Sequence, residues 1–182
     1  MTESLKTADT TDINADRQAK IAELLNAAYP VTLGTAAKML GTTEIEAARA
    51  LPEGMAQFVT GGMPERFDEV WARLAAWEKV TLFVIHDGHV FEVEGKLGLG
   101  KRARGYYNIL GGKTPIGGHL AFERIATVAF VTLPFMKRES LSVQFFNTEG
   151  AVSFAVYVGR ENHQLIESVK AAFFADREAL TK

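Results

Sequence analysis

Residues 79 to 95 read KVTLFVIHDGHVFEVEG, and this stretch limits the fold more than any other part of the chain. Two runs of β-branched and aromatic residues flank Asp87-Gly88, a dipeptide suited to the positive φ angles of a type I′ turn. The middle of the chain is therefore committed to an antiparallel hairpin. Upstream the period is helical. In ERFDEVWARLAAWE (65–78), Phe67, Val70, Trp71 and Leu74 share one face. Downstream, IATVAFVTL, LSVQFFN and AVSFAVYVG read as further strands, the last two joined at Thr148-Glu149-Gly150. A closing helix is predicted over 161–180, burying Leu165, Ile166, Val169 and Phe173, with His163 just inside its start. Helices, then antiparallel sheets over 79–160, then a helix make an α+β architecture.

The first 52 residues divide in two. Residues 1–15, rich in Thr, Asp and Ser, are expected to be a disordered leader. Residues 16–52 are expected to form a helical cap. Ile21, Leu24, Leu25 and Ala28 recur at helical spacing before Pro30, TLGTAAKMLG ends at Gly41, and Thr43 with Glu46 has capping-box spacing. Three short helices resemble a helix-turn-helix. A recognition helix must approach phosphates, however, and this one carries Glu44 and Glu46 against Arg49 alone, which argues against nucleic acid and for a cap packed on a larger body.

Composition narrows the chemistry. The 182 residues suffice for one domain, 16–182, and the net charge of −2 gives no general attraction to nucleic acid or anionic membranes. There is no cysteine, which removes disulfides, iron–sulfur clusters, thiolate nucleophiles and cysteine-type zinc sites. No apolar run reaches the ~18 residues of a membrane span, and the polar N-terminus lacks a signal-peptide core, so a cytoplasmic protein is expected. No serine–histidine–aspartate arrangement sits on a recognisable elbow, and no catalytic residue is assigned.

Histidines carry most of the remaining information. His86 and His89 flank the Asp87-Gly88 turn as a cross-strand pair, at the end of a row formed by Val84 with Phe91 and Leu82 with Val93. The row is expected to face the core, placing the pair near a rim. Two imidazoles and Asp87 are few ligands for a stable metal site, and turn geometry explains the pattern best, with a pocket rim as the alternative. His119 has different surroundings. It ends LGLGKRARGYYNILGGKTPIGGH, where glycine recurs seven times, Lys101, Arg102, Arg104 and Lys113 concentrate positive charge, and Tyr106 and Tyr107 add aromatic surface. His119 is expected to open an apolar strand. An apolar slot with cationic partners and one imidazole fits haem: the porphyrin is a large apolar plate, the propionates pair with Arg or Lys, and the iron takes a neutral nitrogen. A flavin nucleotide would use the same glycines and arginines but gives His119 no job. Single-stranded nucleic acid could use KRARGYY, though the rest of the chain offers no basic stripe.

The chain resembles the HutX/ChuX-type intracellular haem-utilisation family, whose members are related to each half of the HemS/ChuS proteins. The likeness rests on GYYNILGGKTPIGGHL (105–120), PFMKRESLSVQFFNTEG (134–150), VGRENH (158–163), ALPEGM and FDEVWARLAAWEKVTLFV, in order over about residues 17–175. It implies paired antiparallel sheets with flanking helices and a cytoplasmic homodimer that stores haem or carries it to a degrading partner. His119 is implied as the ligand of the haem iron; from the local charge and aromatic residues, Arg102, Arg104 and Lys113 are expected as propionate partners, with Tyr106 and Tyr107 lining the pocket. A second histidine of some members aligns with Ile85, one residue before His86, and one step along a strand reverses the face. His86 can serve as a second ligand only through a bulge. Some longer relatives break down haem, so a haem-degrading enzyme is the alternative that the resemblance implies.

Overall fold

The computed structural model describes residues 4–110 and 114–182, with side chains described from residue 15 onward. Three helices lead: α1 (Ser4–Leu25), α2 (Leu33–Leu40) and α3 (Glu44–Ala50). Thr32 and Thr35 form a capping box on α2, which ends at Gly41 in the left-handed region. Thr43 and Glu46 close the expected box on α3. Helix α1 begins inside the stretch expected to be a disordered leader. Its cause is local: no glycine or proline interrupts residues 1–29, and buried Ile21 and Leu24 anchor the helix downstream. It ends at Leu25, leaving Ala28 exposed and outside the helix.

Strand β1 (Ala56–Phe58) and helix α4 (Phe67–Ala76) precede the hairpin of β2 (Val80–His86) and β3 (His89–Gly95). Asp87 and Gly88 take φ of 48° and 77°, as the turn requires. A smaller meander follows: β4 (Gly100–Ala103), β5 (Tyr106–Ile109) and β6 (Gly118–Leu120). After a 3₁₀ turn (Phe122–Arg124), β7 (Ile125–Thr132), β8 (Leu141–Asn147) and β9 (Val152–Val158) complete a six-stranded antiparallel sheet in the order β1-β7-β8-β9-β2-β3. Its two faces are covered by different elements. On one, α4, α5 (Glu167–Thr181) and the three-stranded sheet pack over Val128, Phe130, Val143, Phe145 and Val156. On the other, α2, α3 and the end of α1 pack over Ala129, Val131, Phe146 and Ala155.

Helix α4 lies at the centre of the first side. Phe67, Val70, Trp71 and Leu74 are fully buried, as their spacing predicts, each contributing roughly 1.5–3 kcal/mol relative to exposure. Trp71 Nε1 donates to the Gly98 carbonyl at 2.9 Å, tying the helix to the strand that enters the small sheet. Asp176 of α5 accepts from Trp77 Nε1 at 2.8 Å and from Arg73 at 3.0 Å, locking α5 to the end of α4. Helix α3 docks on the β8–β9 turn: Ile45 N–H donates to Gly150 O at 2.9 Å, and Glu44 accepts from Val152 N–H. Ala47 and Ala48 on its inner side are buried, so the helical segment packs as a cap on the sheet.

One C-terminal expectation is corrected. Residues 160–165 form a small hairpin, β10 (Arg160–Glu161) with β11 (Gln164–Leu165), and α5 starts only at Glu167. Asn162 and His163 occupy its turn at φ of 49° and 65°, so His163 is a turn residue outside the helix. Val169 and Phe173 are buried as expected, whereas Leu165 and Ile166, lying before the helix, are only partly covered.

Candidate functional site

Strand alternation in the three-stranded sheet decides which side chains can act together. The register aligns Lys101 with Asn108 and His119, and Arg102 with Tyr107 and Leu120. Successive residues point to opposite faces. The inner face, carrying Tyr107 (3% exposed) and Ile109, is buried against α4. The Tyr107 ring meets Phe67 edge-on at 5.3 Å and Trp71 at 6.1 Å, and its hydroxyl accepts the Gly100 N–H at 2.9 Å. Burial pushes its phenol above the usual range. A Cβ on Gly100 would lie 2.4 Å from this ring, so that glycine serves internal packing rather than a ligand.

The outer face is open. It carries Lys101, Tyr106, Asn108 and His119; Leu99 and Leu110, just beyond the ends of β4 and β5, are 64% and 65% exposed. His119 lies inside the three-residue strand β6, which stops at Leu120 and does not run on into β7. Its imidazole is exposed, its Nδ1 is 2.6 Å from Asn108 Oδ1, and the Tyr106 ring stands edge-on to it at 6.2 Å and 70°.

The structure separates the expected site residues. Tyr106 and His119 share the outer face. Arg104 is exposed at the β4–β5 turn with φ of 54°, followed by Gly105 at 78°. Tyr107 is a core residue, which corrects its expected place in a pocket wall: it is one residue from Tyr106 and so faces the other way. Arg102 also leaves the expected set. Its guanidinium donates to Asp68 at 2.6 Å and to Pro64 O at 2.8 Å, and lies 4.2 Å over the Phe122 ring. Lys113 lies outside the described residues.

His86 lies on the other sheet, paired with His89 in the expected register. Their row starts in the core, with Val80 buried and Leu82 packed against the buried cluster, and leaves it toward the turn. Val84, Phe91 and Val93 are 39%, 63% and 38% exposed. The physical reason is that β3 is an edge strand; alternation assigns a shared face but not what covers it. Among the described residues no group of three or more His, Asp or Glu side chains is placed to hold a metal ion. A haem would need only one protein nitrogen, because the porphyrin itself supplies four nitrogen donors. An exposed imidazole beside Tyr106, on a sheet flanked by the exposed Leu99 and Leu110, fits that demand. Asn108 was not expected beside His119; pairing KRARG with GYYNI across their turn and counting alternate residues would have placed it, with Lys101, on the same face.

The sequence matches the family described as haem utilisation ChuX/HutX over residues 62–175. It is 38% identical over 159 residues to the intracellular haem transport protein HutX of Vibrio cholerae, covering 87% of this chain and 81% of that one. The solved haem-binding protein ChuX superposes with a TM-score of 0.75 at 30% identity, over 89% of this chain and 99% of that chain. Holo-PhuS, a haem-binding protein of Pseudomonas aeruginosa, shares the fold at a TM-score of 0.70 and 17% identity; 87% of this chain covers 45% of PhuS. The fold therefore corresponds to about half of that longer protein.

Proposed function

Because the chain belongs to the ChuX/HutX haem-utilisation family, we propose that it binds haem in the cytoplasm and carries it to a haem-degrading partner. One observation carries this reading: the exposed His119 imidazole stands beside exposed Tyr106 on the outer face of the small sheet, whose strand ends carry exposed Leu99 and Leu110. The HutX relative, an intracellular haem transport protein, supports it.

Each part of the face has a task. His119 supplies an uncharged nitrogen to the iron, while Leu99, Leu110 and Tyr106 remove one porphyrin face from water. Lys101 and Arg104 on this sheet, with Lys113, supply cations for the propionates, in place of Arg102, which is held by Asp68. An open face suits a carrier, since haem can leave without unfolding the core and transfer depends on a modest barrier to dissociation. His86 stays with the hairpin in this scheme.

We also infer a homodimer formed through β3. This strand leaves one edge unpaired, and Val90, Phe91 and Val93 are exposed along it. Unpaired edges template pairing with a second chain.

A carrier and an enzyme differ in one readout. The haem complex is mixed with reductant in air and the Soret band followed. A persistent band is the expected result. Loss of the band with appearance of a bile-pigment spectrum would replace the carrier by a haem-degrading enzyme.

A further inference from the structure

Among the described residues Asn108 is the side chain hydrogen-bonded to the His119 ring, and its own orientation is over-determined. Its amide nitrogen lies within hydrogen-bond distance of three carbonyls: Lys101 O at 3.2 Å, Ala103 O at 2.9 Å and Tyr106 O at 3.0 Å. Rotating the amide by 180° would point its oxygen at three acceptors. The β4–β5 hairpin therefore fixes the NH₂ group inward and the carbonyl oxygen outward, toward His119. That oxygen can only accept, so the histidine Nδ1 at 2.6 Å must carry the proton.

The consequence falls on the other ring nitrogen. A neutral imidazole protonated at Nδ1 has its lone pair at Nε2. In free histidine the opposite tautomer, with the proton on Nε2, predominates, and it presents N–H where a metal would need a donor. Tyr106, edge-on at 6.2 Å, limits rotation of the ring about this arrangement. Such a partner on the non-ligating nitrogen sets ring orientation and raises ligand basicity.

We propose that Asn108 is a positioning residue for haem capture: held by the three hairpin carbonyls, it locks His119 as the Nδ1–H tautomer and turns Nε2 outward as the iron donor. This rests on the proposed haem site, and it makes the β4–β5 turn part of the ligand's architecture although none of its carbonyls touches haem.

The test has two arms. Long-range ¹H–¹⁵N NMR of the haem-free wild type near pH 8 reads the tautomer directly and needs no variant. His119 is expected to show a protonated Nδ1 and an unprotonated Nε2; the reverse pattern overturns the proposal. Asn108→Ala is then compared with wild type. It should shift His119 toward the Nε2–H tautomer and weaken hemin affinity by about 10- to 100-fold, the usual loss when a ligand's supporting partner is removed. Asn108→Ser, which keeps a short polar group but cannot span both sets of contacts, should behave like the alanine variant and guards against a folding artefact in either. Hemin affinity unchanged in both, with His119→Ala defective, would overturn the role of Asn108 and leave the haem site standing. Unchanged binding by His119→Ala itself would remove the haem site, and the proposed role of Asn108 with it.

Discussion

Two adjacent tyrosines should respond in opposite ways to the same substitution. Tyr107 is 3% exposed and packs on Phe67 and Trp71, whereas Tyr106 is 46% exposed beside His119. Truncating a buried aromatic costs about 3–5 kcal/mol, through lost transfer free energy and the cavity left behind. Tyr107→Ala should fall in that range, and its melting temperature should drop by roughly 6–20 °C at the ~2–4 °C per kcal/mol expected for a chain of this size. Tyr107→Phe keeps the packing and loses only the acceptor for Gly100 N–H, at a cost of about 1 kcal/mol. Tyr106→Ala should change stability by about 0.5 kcal/mol or less. Its effect should appear in binding. Nearly half of a ring of about 200 Å² is open to be covered by porphyrin, and ~100 Å² at ~25 cal/mol per Å² sets an upper bound near 2.5 kcal/mol. A 5- to 30-fold loss of hemin affinity corresponds to about 1–2 kcal/mol of that. Calorimetry and Soret titration of all three variants check this. A Tyr106→Ala variant as unstable as Tyr107→Ala, or one binding hemin like wild type, would refute the division into inner and outer faces.

Three further outcomes are expected. Phe91→Asp puts a charge on the exposed edge strand and should leave a monomer by analytical ultracentrifugation with its melting temperature nearly unchanged; a variant that stays dimeric would place the interface elsewhere. Asp176→Ala strands the buried Trp77 N–H and should cost about 1–3 kcal/mol in urea unfolding, with Asp176→Asn milder because an amide oxygen still accepts. Burial raises the Glu44 carboxyl above its usual range, against the lowering influence of Val152 N–H, so its protonated form is favoured in the folded state. Its contribution is then fully present below the unfolded carboxylate value and lost as pH rises through the folded one. Glu44→Gln should therefore match wild type at acid pH and gain in relative melting temperature as pH rises to neutrality; a gain confined to acid pH would contradict the sign.

Local chemistry was legible wherever one segment decides its own conformation. The Thr43–Glu46 box, the buried face of α4 and the Asp87-Gly88 turn follow from spacing and turn preference alone. The outer part of the row, Val84, Phe91 and Val93, was misread as core because apolar alternation assigns a shared face but not what covers it. The hairpin at 160–165 was hidden because its strands have two residues each, too short for any period, and only Asn162 hints at its left-handed turn. In the site, the basic and aromatic cluster was visible but its sides were not. Tyr107 was grouped with His119 by nearness in sequence, while the strand pleat sends it to the core and His119 to solvent; Arg102, on the same face as Tyr107, stays exposed but is held by Asp68. Asn108 carries no charge or special chemistry in isolation, and becomes notable only once three carbonyls and an imidazole surround it.

The most direct measurement is the hemin dissociation constant of His119→Ala beside wild type and His86→Ala. Loss of a protein ligand should exceed the effect of losing its support, so the His119 variant should bind more than about 100-fold more weakly, with a displaced Soret maximum, while His86→Ala stays near wild type. Wild-type affinity and spectrum in His119→Ala would contradict the account, and a loss confined to His86→Ala would move the site to the hairpin.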